Sequence, residues 1–74
     1  MDSAEYLESL LRERALRHGA RLQVGLTGAG LWRAVLIANG DGPSVFLQSA
    51  SSDEREVALG SLYAQGEPDR RQPR

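Results

Sequence analysis

The segment from Leu31 to Ala38 constrains this chain more than any other. With a period of two, Trp32, Ala34, Leu36 and Ala38 fall on one side of a strand and Leu31, Arg33, Val35 and Ile37 on the other. Neither side is polar, so a strand here carries apolar side chains on both faces of any sheet it joins. Turn residues bound it: Gly28-Ala29-Gly30 before it and Asn39-Gly40-Asp41-Gly42-Pro43 after it, the latter containing the strongest short-range hairpin signal.

The flanking segments supply partners for that strand. Leu22, Val24 and Leu26 alternate with Arg21, Gln23, Gly25 and Thr27, the pattern of a strand with one buried face. A third strand is expected over about Ser44 to Ser49. Before the strands, Ala4, Leu7, Leu10, Leu11 and Ala15 recur at helical spacing, Asp2 and Glu5 resemble a capping box, and Gly19 suits the end of a helix over Ser3 to His18. Pairs at i,i+4, Glu8 with Arg12 and Glu13 with Arg17, support the same helix. After the strands, Ser51-Ser52-Asp53-Glu54 has the form of a second capping box, placing a helix start near Ser52. Its stripe is Ala58, Leu59, Leu62 and Tyr63, with Gly60 on the opposite side.

The expected fold is therefore α+β: helix, three-stranded antiparallel sheet, helix, forming a single domain over residues 1–65 with both helices on one face. Residues 66–74 contain two prolines and no apolar side chain, the composition of a disordered C-terminal tail. Whether Trp32, Ala34 and Leu36 or Val35 and Ile37 face the helices is left open by the pattern, but either choice leaves an apolar strip uncovered.

Composition removes several functions. Cysteine is absent, so disulfides, thiolate metal sites and thiol nucleophiles are excluded, and the chain suits the cytoplasm. The apolar run Val35-Leu36-Ile37-Ala38 is far too short for a membrane helix, and no export signal opens the chain; a soluble protein with no membrane role is expected. Net charge is −1 despite nine arginines, which argues against general nucleic-acid binding.

Single residues offer little chemistry. His18 is the sole histidine and reads as a helix-terminal residue. Asp53, Glu54 and Glu56 complement a helix dipole, Asp41 belongs to a turn, and Gly28-Ala29-Gly30 lacks the features of a phosphate loop. Trp32 reads as a core anchor. No catalytic, metal or cofactor site is assigned, and no small-molecule substrate is inferred. Arg70, Arg71 and Arg74, interleaved with Asp69 and preceded by Glu67, read as a solubilising terminus.

From Ser3 to Gln65 the element order resembles the double-stranded-RNA-binding domain. In that family the last helix opens on a lysine-rich phosphate-gripping motif; the matching stretch here, Ser51-Ser52-Asp53-Glu54-Arg55-Glu56-Val57-Ala58, keeps the serine and the alanine but has acids in place of the lysines. The resemblance implies architecture, and no binding residue is carried over.

The leading expectation is a non-enzymatic interaction module that binds a protein partner or forms a homodimer through the open sheet face, with Arg33, Val35, Ile37 and Phe46 as contacts. The alternatives are a nucleic-acid binder using Arg21, Arg33 and Arg55, and a phage or mobile-element type inhibitor of a host protein.

Overall fold

A computed structural model describes residues 2–68. Its elements run α1 (Ser3–Arg17), β1 (Ala20–Leu26), β2 (Trp32–Ala38), β3 (Phe46–Ser52) and α2 (Arg55–Ala64). The three strands form one antiparallel sheet in the order β1-β2-β3, so the strand with two apolar faces is the central one.

The helices follow the sequence, with departures at both of their N-termini. Asp2 is the N-cap of α1, and the chain leaves it through Gly19 at φ +62°, a conformation in which glycine avoids the steric cost of a Cβ. The Asp2 side chain makes no capping hydrogen bond, however. The second helix starts three residues later than its serine pattern implies, with Glu54 as N-cap, because Ser51 and Ser52 belong to β3. Pairing explains the shift: Trp32 faces Ser52 and Arg33 faces Ser51, so the third strand extends until it matches the central one. The expected Ser44–Ser49 strand therefore lies at Phe46–Ser52. Near its start a bulge opposite Leu36 and Ile37 leaves Leu47 as the extra residue, and Leu47 packs against the core.

The core settles the orientation of β2. Ala4, Leu11 and Ala15 from α1 and Leu59 and Leu62 from α2 cluster with Ala20, Ala34 and Leu36 from the sheet. Leu11, Leu36, Leu59 and Leu62 are its largest fully buried side chains, whereas Trp32 is only half-buried and outside the cluster. The anchor of the core is thus leucine rather than the tryptophan expected from composition. A leucine deposits all its surface in the interior, but an indole at the first position of a strand sits at the rim.

Arg14 occupies a place where helical periodicity calls for an apolar residue, three positions after Leu11 on the core stripe. It is 4% exposed. Its Nη1 and Nη2 donate to the carbonyls of Leu62 (3.2 Å) and Tyr63 (3.1 Å), and its guanidinium lies 5.0 Å from the centre of the Tyr63 ring. The last turn of α2 contains no basic residue, so α1 supplies the positive charge that this helix end favours. Gly60 also departs from expectation: a Cβ there would meet Leu7 Cδ1 at 3.9 Å, so it faces α1.

Gly66 to Pro68, assigned by composition to the tail, make specific contacts. Glu67 accepts hydrogen bonds from Arg17 (2.7 Å) and His18 (2.8 Å) and lies 3.6 Å from Arg14 Nε, while Pro68 is buried. The rest of the expected tail, residues 69–74, lies outside the described residues.

Candidate functional surface

The side of the sheet opposite the core cluster is built by the odd-numbered positions of β1 and β2. Across the strands, Arg21 pairs with Ile37, Gln23 with Val35 and Gly25 with Arg33; on the far side Ile37 pairs with Phe46, Val35 with Ser49 and Arg33 with Ser51. Residues directly opposite one another share a face, so these nine positions form one surface, hereafter the outer face.

This face is not the bare apolar strip that alternation implies. Val35 is 5% exposed and Ile37 3%, although neither belongs to the core cluster. Their neighbours close over them. Arg33 and Phe46 are separated along the sheet by the rise of about four residues, roughly 13 Å, yet the Arg33 guanidinium reaches to 5.1 Å from the Phe46 ring centre. The stack therefore spans the row that holds Val35. On the other flank Arg21 Nη1 donates to Asn39 Oδ1 at 3.3 Å, leaning along the edge beside Ile37. A short β-branched side chain in a central strand is hidden by longer chains on both neighbours, a consequence of strand partners that a single segment does not reveal.

Of the four residues expected to make contacts, two are thus accessible and two are not. Phe46 is 52% exposed and Arg33 is exposed, whereas Val35 and Ile37 support them from beneath. Leu26, Leu31 and Val45 add exposed apolar surface around the sheet. The outer face also has a charge pattern: its nine positions include Arg21 and Arg33 and no carboxylate.

The other arginine singled out from the sequence stands elsewhere. Arg55 begins α2 and pairs with Glu8 of α1, which also accepts from Arg12 at 3.0 Å. Arg21, Arg33 and Arg55 consequently do not converge on one surface, and Ser51 and Ser52, quoted for the resemblance to the RNA-binding family, lie in β3.

The remaining polar cluster is at the other end of the helices. Hydrogen bonds from His18 and then Arg17, with the charges of Arg17 and Arg14 nearby, hold the Glu67 carboxyl below its ordinary pKa. His18 is thus engaged in a hydrogen bond that ties residue 67 to the end of α1. Among the described residues no group of three or more His, Cys, Asp or Glu side chains could hold a metal ion, and no helix is long and apolar enough to cross a membrane.

No family model, curated protein or solved structure matches the chain.

Proposed function

We propose that this chain is a non-enzymatic interaction module of the cytoplasm that binds a protein partner, or a second copy of itself, through its sheet. The reading takes both helices to lie on the core side, so that the outer face is available. The observation that carries it is Phe46, an aromatic side chain left 52% exposed and held under the Arg33 guanidinium on a surface that adds nothing to the core cluster. Exposed aromatic and arginine side chains are the residue types most enriched at the centres of protein interfaces. Buried Val35 and Ile37 make the platform beneath them stiff, which lowers the ordering cost of binding.

Phe46→Glu and Arg33→Glu test the proposal, because both residues are accessible and outside the core cluster. Each variant should remain folded by circular dichroism and lose the partner that a wild-type bait retains; if the partner is a second copy, the concentration-dependent mass seen by light scattering should fall to that of a monomer. A wild-type chain that stays monomeric, together with variant baits that retain the same proteins as wild type, contradicts the reading.

A further inference from the structure

The phase of the β1–β2 ladder follows from the hydrogen bonds at its ends: Thr27 N–H donates to Leu31 C=O at 2.7 Å, and Asn39 N–H to Gly19 C=O at 2.9 Å. Narrow pairs alternate along an antiparallel ladder, so the odd-numbered residues of β1 direct their backbone groups at β2. Ala20, Leu22, Val24 and Leu26 therefore direct their N–H and C=O groups outward from the sheet edge. The opposite edge is blunted: β3 bulges, and Gln65 Nε2 donates to Ser49 C=O at 2.8 Å. β1 has neither a bulge nor a proline.

Two concavities of the described surface run along this same strand. A groove of about 560 Å³ is lined by the stretch from Leu22 to Thr27 with Arg33, Val35 and Phe46 and, from α1, by Arg12 and Glu8, whose charge is already paired with Arg12 and Arg55; it passes Gly25, where no side chain obstructs the edge. A second, of about 250 Å³, lies between β1 and α1 against Ala15, Leu16, Ala20 and Leu22, with Arg12 and Arg21 at its rim. The α1 side of the edge thus has an apolar floor with arginines at its rim, and the outer side is cationic through Arg21 and Arg33.

We infer that the free edge of β1 accepts a fourth strand: an extended segment of a protein partner in which apolar residues alternate with acidic ones. Resting on the protein-binding reading above, this moves the principal contact from the face to the edge and states the chemistry of the partner. Successive side chains of an added strand point to opposite faces, so one set enters the apolar groove beside α1 while the other meets the arginines. Charge selects the occupant. A second copy of β1 would bring another Arg21 to the outer side and no carboxylate, and residues 69–74 of this chain carry three arginines against one aspartate.

An acetylated and amidated eight-residue peptide of alternating valine and glutamate tests this against its valine–lysine counterpart, using amide spectra and hydrogen exchange of the 74-residue chain. The glutamate peptide should shift and protect the amides of Leu22, Val24 and Leu26 saturably, with the lysine peptide at least about tenfold weaker. Arg21 is exposed, so Arg21→Glu should keep the fold and reduce or reverse that preference. Three results overturn the inference: no change at those amides at about 1 mM peptide, equal affinity for the lysine peptide, or the same protection produced by raising the protein concentration alone. Shifts confined to the surroundings of Phe46 also overturn it while leaving the proposed function standing; an unaffected edge together with Phe46→Glu baits that retain the same proteins as wild type removes both.

Discussion

Arg14 offers the sharpest quantitative test of how so small a chain holds together. Its guanidinium donates to two carbonyls at the end of α2, Leu62 and Tyr63, which also accept backbone N–H groups from Gln65 and Gly66. Hydrogen bonds to charged groups contribute about 1.5–3 kcal/mol each, but acceptors already served lose less when the cation leaves, so about 1.5 kcal/mol is assigned to the guanidinium as a whole. Arg14→Met keeps most of the buried stem and should cost that amount. Arg14→Ala also withdraws two methylenes at about 0.8 kcal/mol apiece, bringing the loss to about 3 kcal/mol. Against the roughly 4–11 kcal/mol typical of a chain this size, the alanine variant is severely weakened. Urea denaturation followed by circular dichroism measures both, and the expected order is wild type, then methionine, then alanine. A methionine variant as stable as wild type would refute the reasoning, because desolvation of the cation would then cancel all it gains from the helix end.

Other positions test the rest of the packing. Gly60→Ala should stabilise by about 0.5–1 kcal/mol in the same assay, since its backbone is helical and the new methyl meets Leu7 at van der Waals distance. Glu67 has its carboxyl pKa depressed in the folded state, so its contribution is present above the ordinary carboxylate range and is lost as pH falls through the folded pKa. Titration of the urea midpoint from about pH 6 to pH 3 should show wild type losing its advantage over Glu67→Gln across that window; a pH-independent difference would contradict the ion cluster. Val35→Glu and Phe46→Glu should separate cleanly by thermal melting, the first destabilising a buried site and the second leaving the melting temperature nearly unchanged.

Alternation and turn residues were enough to place the central strand between two turns, because Gly28-Ala29-Gly30 and Asn39-Gly40-Asp41-Gly42 interrupt the apolar pattern on either side, although Asn39 keeps a negative φ and the second connection runs to Val45. What escaped them depends on neighbours distant in sequence. Ser51 and Ser52 carry a helix-start pattern, yet pairing with Arg33 and Trp32 draws them into the sheet. Val35 and Ile37 look exposed when the strand is read alone, and become buried once Arg33, Phe46, Arg21 and Gln23 flank them. Arg14 did leave a signal, a charge at the spacing of Leu7 and Leu11, although its partners on α2 lie about fifty positions away. For the candidate surface, Arg33 and Phe46 were legible as residue types, but which face of the central strand turns away from the helices was left open by its alternation. The open edge of β1 was not, since it follows from what fails to pair with it.

The central claim is that the sheet of this chain is a protein-binding surface with Phe46 as its exposed aromatic contact. Replacing Phe46 with a photoreactive phenylalanine in the cells that make the protein, and Glu13 on the exposed side of α1 as a control, tests it directly. The account predicts discrete adducts of defined mass from position 46 and none of the same mass from position 13. Identical adduct patterns from both positions, or no adduct from position 46, would contradict it.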